Sequence, residues 1–276
     1  MSDDLSADLA LATSLGRAAA SAILEVKAEA RSSTQVKSDQ SPVTLADLTA
    51  DRLIRAGLAS TGDVVVTEES WTDARMPANG RVWIIDPVDG TEDFVAGRDD
   101  YVVQIGLVLD GLPRLGVICQ PETGRLWRGV VGQGFCERFD GDVVTRLSLP
   151  VDGVFDGAPR VAASISHPSA FVDFVVVELG GVVVPIGSVG LKIGAMVDGR
   201  ADAYLTASKR IKVWDTCAPA AVLLAAGGVV STVSQRELRY DGDVVHDDGL
   251  CAWGAPVRTA LVPRLQDALR RFKPSP

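Results

Sequence analysis

Two carboxylates three residues apart are the first candidates for chemistry in this chain. Asp86 and Asp89 follow the apolar run of residues 82–85, and Gly90, which lets backbone approach a ligand closely, comes directly after them. The run predicts a short buried strand that ends at Asp86, because Pro87 has no N–H to donate to a sheet. Two carboxylates directed at one point repel each other unless a cation lies between them, and oxygen ligands suit Mg²⁺, Mn²⁺ or Ca²⁺ rather than zinc. A solvated acidic turn is the alternative, because Asp, Pro and Gly are also the commonest turn formers.

Further acids stand at the ends of predicted elements. Glu68 follows the β-branched run of residues 63–67, so two separate strands are expected to deliver acids to their ends. Asp47 and Asp51 lie one turn apart on a predicted helix, where the plain interpretation is that Asp47 caps the helix and Asp51 meets solvent. Asp215 precedes another predicted helix as its N-cap, and a carboxylate at that position can also hold an ion.

Composition narrows the class of protein. The chain has 276 residues, 47% of them hydrophobic, and a net charge of −9, which indicates a globular protein without the broad basic face that a nucleic-acid polymer requires. The apolar runs are short, so we expect no membrane partner. The acidic N-terminus lacks the basic segment of a signal peptide, which favours a cytoplasmic protein.

Histidine and cysteine chemistry is poorly supported. The only two histidines, His167 and His246, lie in turn-like settings, so a histidine base is not indicated. The cysteines lack paired spacing, which predicts buried free thiols at Cys119, Cys136, Cys217 and Cys251. Any reaction is therefore expected to depend on carboxylates and metal.

The N-terminal half is predicted to be two helices on an antiparallel sheet. Apolar residues recur at helical spacing from Leu5 to Val26, and a second helix runs from a capping-box pattern at Thr44 to about Ser60. After the acidic turn, a meander of strands is predicted over residues 101–109, 115–119, 125–131 and 135–139. These elements would form a lobe over residues 1–147.

The C-terminal half alternates strand and helix. Strands are predicted over residues 160–164, 182–185, 203–205 and 229–232. Helices are predicted over residues 171–179, 191–197, 216–226 and 257–272. This alternation predicts a second, smaller α/β lobe over residues 148–276.

Three segments in order resemble the inositol monophosphatase superfamily. Residues 83–91 resemble its first signature, residues 214–219 its second, and residues 66–70 the acidic loop that precedes the first. The likeness runs from about residue 9 to about residue 232. It implies an α/β (α+β) fold, a layered α-β-α-β-α sandwich with metal ions between its lobes.

The resemblance also implies the site. Its two or three Mg²⁺ ions would be held by Glu68, Asp86, the carbonyl of Val88, Asp89 and Asp215. Residues 43–47 match the family segment whose aspartate, here Asp47, works with the signature threonine, Thr91, on the attacking water. Glu68 would share in the catalysis. Backbone N–H groups of Gly90 and Thr91 are suited to cradle the phosphate oxygens.

A second likeness concerns the substrate. Gly187, Ser188 and Lys192 lie in a Gly-rich turn that leads into a helix, a setting that can receive an anion, so we expect them to bind the substrate. The turn resembles the Gly-Ser-x-x-x-Lys stretch of the 3'(2'),5'-bisphosphate nucleotidase branch, which hydrolyses 3'-phosphoadenosine 5'-phosphate (PAP). Inositol enzymes carry a glutamate soon after their Asp-Ala-Tyr segment, whereas residues 203–214 here contain no acid. They contain instead three cations, Lys209, Arg210 and Lys212. Clustered cations suit a second phosphate, although a solvated basic loop is the alternative.

These observations predict a Mg²⁺-dependent phosphomonoesterase that removes the 3'-phosphate of PAP. The alternatives are an inositol monophosphatase or broad sugar phosphatase and, in another class, a non-catalytic nucleotide-binding relative. We expect a small phosphorylated metabolite as partner, a monomer or homodimer, and the lithium sensitivity that the family implies.

Overall fold

The computed structural model describes residues 4–32 and 42–272. Residues 31–41 are polar and rich in Ser and Thr, which predicts a loop, and they lie almost entirely outside the described residues. The helices are α1 (Ser6–Ser32), α2 (Pro42–Leu58), α3 (Thr91–Val95), α4 (Ala170–Leu179), α5 (Val189–Val197), α6 (Val213–Ala225) and α7 (Ala255–Arg271). The strands are β1 (Val64–Thr67), β2 (Arg81–Asp89), β3 (Val102–Leu109), β4 (Leu112–Cys119), β5 (Leu126–Val130), β6 (Phe135–Asp140), β7 (Val143–Arg146), β8 (Arg160–Ser164), β9 (Val182–Ile186), β10 (Ala203–Thr206), β11 (Val229–Ser231) and β12 (Leu250–Trp253).

The strands form two sheets that draw on separate parts of the chain. The seven-stranded sheet has the order β1-β2-β3-β4-β5-β6-β7, and only its β1–β2 pair is parallel. The five-stranded sheet has the order β11-β12-β10-β8-β9, with parallel pairs joining β10, β8 and β9. The predicted division into lobes at residues 147 and 148 follows the gap between the sheets and stays a prediction.

Helices fill the layers around the two sheets. Helices α1 and α2 pack on one face of the first sheet, and α5 and α6 lie between the two sheets. Helices α4 and α7 cover the far face of the second sheet. The predicted α-β-α-β-α sandwich is therefore confirmed. Its α6 layer follows from a nearly continuous apolar helix, because a helix buried on all sides has no polar face.

Helix α1 differs from the expectation of short apolar runs. Over Ser6–Glu29 it is long and apolar enough, by length and composition alone, to cross a membrane. That expectation is wrong because small and apolar residues continue for several turns. In the structure Ala12, Ala19 and Ile23 are fully buried against α2 and the first sheet. This is the packing of a core helix.

Strand β2 does not end at Asp86, as predicted, but runs on to Asp89. The pairing with β3 shifts on the way, since Asp86 pairs with Gln104 while Asp89 pairs with Val102. Three residue steps along β2 therefore span only two along β3, so β2 contains a β-bulge. Pro87 lies within it, where the missing N–H interrupts no regular ladder. The bulge therefore lets the strand carry both aspartates.

Helix α2 also differs from its prediction. It begins at Pro42, so Thr44 is not its cap and Asp47 lies within the helix. Asp51 is buried, not solvated, and its carboxylate accepts a hydrogen bond from Arg55 at 3.4 Å. The early start agrees with a proline at the first helical position, where the missing backbone N–H would have no partner within the helix.

Helix α6 shows the same kind of early start. It begins at Val213, so Asp215 is its third residue and not the N-cap.

The elements missed by the predictions are short: α3, β7 and β12. Short apolar runs give weak periodicity, and β12 becomes a strand by pairing between β10 and β11.

Candidate active site

A cavity of about 690 Å³ is lined by residues from both predicted lobes. The predicted site residues that line it are Asp89, Gly90, Thr91, Gly187, Ser188, Lys192, Arg210 and Asp215. Asp47, Glu68, Asp86 and Val88 are not among its lining residues, and electrostatic and hydrogen-bond contacts connect them to it. The structure therefore brings the two signatures together at one cleft.

The carboxylates of Asp86 and Asp89, at the two ends of the bulge, lie in different surroundings. Asp86 is 1% exposed, and its Oδ1 accepts the backbone N–H of Val88 at 3.0 Å. Asp89 lines the cavity, and its Oδ2 accepts the side-chain amide of Gln104 and, at 3.0 Å, the backbone N–H of Gly190. Two elements outside β2 thus orient Asp89.

The Gly190 contact changes the interpretation of the Gly-rich turn. We predicted that this turn, which opens α5, would receive an anion from the substrate. In the structure its helix amide receives the carboxylate of Asp89. Gln104, fully buried on β3, was missed because a lone glutamine in an apolar strand carries no motif.

Asp215 is held by the first turn of α6. Its Oδ2 accepts the backbone N–H of Lys212 at 2.7 Å. The Lys212 ammonium in turn lies 3.7 Å from Oε1 of Glu68 and 4.9 Å from the ring centre of Trp214. Lys212 therefore connects Asp215 on α6 with Glu68 beside β1.

The buried acids repel one another. Burial, with the charges of Glu69 and Glu68, raises the pKa of Asp47 to about 7. Burial raises the pKa of Asp89 to about 6. Burial and the charge of Asp89 raise the pKa of Asp215 to about 8. Burial and the neighbouring acids raise the pKa of Asp86 as well. A cation among these groups would remove the repulsion.

The donor set fits a hard divalent cation. All of the predicted ligands offer oxygen, which suits Mg²⁺ or Ca²⁺. Across residues 4–32 and 42–272, the side chains as they stand bring no three His, Cys, Asp or Glu within metal-binding reach of one point. The fit therefore rests on the type of donor and on the shared charge, and the ligand set stays a prediction.

Gly90 and Thr91 begin α3 directly after the bulge. Gly90 has φ 99°, and a Cβ there would come within 2.7 Å of the Asp100 carbonyl oxygen, so only glycine fits. The Thr91 hydroxyl donates to the Val88 carbonyl at 3.0 Å. The pairing of Thr91 with Asp47 stays a prediction.

Lys192 points into its own turn. It is 3% exposed, and its ammonium donates to the backbone carbonyls of Gly187 and Ser188. Burial lowers its pKa to about 8. The Ser188 hydroxyl accepts the Leu191 N–H at 3.0 Å and caps α5. Lys192 thus supports the turn from within, whereas Arg210 lies exposed on the cavity wall.

Sequence reasoning missed several cavity residues. His167 lies at the rim with Nε2 3.3 Å from Oε2 of Glu92, and Phe171 and Phe272 line another wall. Helices α4 and α7 bring these residues together, and no spacing in the chain signals that.

His246 is buried elsewhere, 3.0 Å from the Thr216 hydroxyl. The prediction of buried free cysteines is confirmed.

The relatives of this chain are phosphatases. The 3'-phosphoadenosine 5'-phosphate phosphatase of Mycobacterium leprae is 36% identical over 251 residues, which cover 85% of this chain and 84% of that protein. The 3'(2'),5'-bisphosphate nucleotidase CysQ of Escherichia coli O157:H7 is 32% identical over 233 residues, which cover 82% of this chain and 91% of that protein.

The fold has solved counterparts. A crystal structure of CysQ from Bacteroides thetaiotaomicron, a bacterial member of the inositol monophosphatase family, superposes with a TM-score of 0.77 at 26% identity, covering 90% of this chain and 97% of that one. The predicted resemblance to the bisphosphate nucleotidase branch is thereby confirmed. The sequence model of the inositol monophosphatase family matches residues 4–265, and this chain belongs to that family of phosphatases.

Proposed function

We propose that this chain is a Mg²⁺-dependent phosphatase that removes the 3'-phosphate of PAP to give AMP and phosphate. The observation that carries the proposal is a single cavity with Asp89 and Asp215 on its walls and the guanidinium of Arg210 as a site for a second phosphate. The segment between β10 and α6 contributes Arg210 and no carboxylate to the wall, which disfavours a polyol. Relatives named for this activity support it.

We assign the predicted ligands to two metal ions. Glu68, Asp86 and the Val88 carbonyl would hold one Mg²⁺, and Asp86, Asp89 and Asp215 a second. When bound, Mg²⁺ supplies Lewis acidity toward water and phosphate oxygens. The same proposal includes two or three metal ions per site and sensitivity to lithium. It also includes a cytoplasmic monomer or homodimer that binds neither a nucleic-acid polymer nor a membrane.

The chain's own residues supply orientation and proton transfer. Thr91 orients the attacking water, and Asp47 accepts its proton. Burial holds the pKa of Asp47 above its ordinary value, which favours proton uptake by this carboxylate near neutral pH. Backbone N–H groups of Gly90 and Thr91 donate to phosphate oxygens at the start of α3.

We expect Thr91→Ala to lower kcat by roughly 10²-fold or more, the usual share of general acid–base catalysis, with little change in KM. Thr91→Ser keeps the hydroxyl and should retain most of the activity. Steady-state kinetics with PAP provide the measurement. A near wild-type kcat for Thr91→Ala would remove Thr91 from this role.

We expect kcat/KM for PAP to exceed that for inositol 1-phosphate by roughly ten- to a hundredfold, because a charge-assisted contact to a second phosphate contributes about 1.5–3 kcal/mol. Arg210→Ala should erase the preference. Lys209→Ala is the matched control, since Lys209 is a neighbouring exposed cation that does not line the cavity. Should inositol 1-phosphate be the better substrate of the wild type, an inositol or sugar phosphatase replaces the assignment.

A further inference from the structure

One wall of the cavity is apolar and has no part in the phosphate chemistry. It is formed by Phe171 and Val172 at the start of α4 and by Phe272 directly after α7. The rings of Phe171 and Phe272 meet edge to face, with centroids 5.4 Å apart. Phe171 is buried, whereas Phe272 is half-buried.

The ring of Phe272 is held in place from several sides. Its backbone N–H donates to the Ala268 carbonyl at 2.9 Å, which continues the hydrogen bonding of α7. Its ring centre lies 5.5 Å from that of Phe174 on α4. The neighbouring Arg271 pairs with Glu178, which ties the end of α7 to α4. Phe272 thus presents a positioned aromatic surface to the cavity.

The parts of a bisphosphate nucleotide can be assigned to the walls by chemistry. The reacting phosphate belongs with the acids around Asp89 and Asp215, because the metal ions would bind there. The second phosphate carries charge and belongs with the exposed guanidinium of Arg210. The remaining part is a flat aromatic base, whose faces match the apolar wall of Phe171 and Phe272.

We infer that Phe272, backed by Phe171, is the surface on which the substrate's nucleobase stacks. The inference rests on the proposed function and identifies how the same site distinguishes nucleotides from other phosphate esters. A sugar or inositol phosphate has no aromatic face and gains nothing from this wall. Phe272 is therefore a specificity-determining residue and not a catalytic one.

The test compares substrates with and without a base. Phe272→Ala should raise KM for PAP roughly tenfold, the usual effect of losing one base–aromatic stack, with kcat retained. Ribose 3,5-bisphosphate, which has both phosphates and no base, should show no change. Phe272→Trp keeps an aromatic face and should restore the wild-type KM for PAP. Isothermal titration calorimetry with AMP should show the same tenfold loss and its restoration.

Phe155→Ala is the matched control, because Phe155 packs against the same apolar core of the second lobe and does not line the cavity. It should leave the ratio of the two KM values unchanged. An unchanged KM for PAP in Phe272→Ala, or an equal rise for both substrates, would overturn the inference. Wild-type protein that fails to cleave PAP would instead refute the proposed function.

Discussion

Removal of divalent metal ions with a chelator is expected to abolish phosphate release from PAP, and added Mg²⁺ is expected to restore it. The two lysines near the acids do not replace a divalent cation, because Lys192 donates to carbonyls of its own turn and Lys212 brings a single charge to Glu68 at 3.7 Å. Phosphate release should be measured in excess chelator and then against Mg²⁺ concentration. Full activity in excess chelator would contradict the metal-dependent mechanism.

The same removal should make thermal stability depend on pH in a defined direction. The folded protein raises the pKa of Asp89 to about 6, of Asp47 to about 7 and of Asp215 to about 8, whereas the unfolded chain has ordinary values near 3.8. Between these limits the three acids bind more protons in the folded state. Buried His246, whose pKa falls from 6.5 to about 4, opposes them with one proton, so the free energy of unfolding still falls as pH rises from about 4 to about 8. Mg²⁺ favours the ionised carboxylates and should offset this loss. Calorimetric Tm values at several pH values, with chelator and with Mg²⁺, check the prediction.

The layers were predictable from sequence because the longer helices have a clear apolar period and the main strands are distinct apolar runs. Short apolar runs separated by Gly turns, such as the one at Asp110 and Gly111, mark the meander, and both residues of that turn have the positive φ that such hairpins require. Amphipathic spacing identifies α1. Periodicity reports which face is buried, and burial is what builds the sandwich.

The details of the site were less predictable, because contacts between distant segments decide them. The position of Asp89 depends on an amide of α5 and a side chain of β3, and neither is visible from the acidic turn itself. Lys192 has the spacing of a substrate-binding cation, yet its own turn offers it two carbonyls in a buried setting. The sequence predicts that the strand ends before Pro87. The bulge that lets the strand continue depends on the register with β3, which the sequence of one strand does not reveal.

Asp89→Asn should reduce kcat by roughly 10²–10³-fold or more, comparable with loss of a group that stabilises charge in the transition state. The two donors on Oδ2, from Gln104 and Gly190, require an oxygen at that position. The asparagine amide nitrogen must then take the place of Oδ1. Its N–H groups would face the cation that Oδ1 is proposed to bind, so the ligand is lost although the shape of the side chain is kept.

Stability should move in the opposite direction. In chelator, Asp89→Asn removes one charge from a group of repelling buried acids, so its Tm should exceed that of the wild type by roughly 2–4 °C for each kcal/mol of repulsion relieved. Mg²⁺ should raise the Tm of the wild type more than that of the variant. Asp51→Asn is the matched control, because Asp51 is also a buried acid but is outside the predicted ligand set. Asp51→Asn should keep most of the activity and the full response to Mg²⁺. If Asp89→Asn retains turnover, or if both variants lose the Mg²⁺ response equally, Asp89 is not a metal ligand.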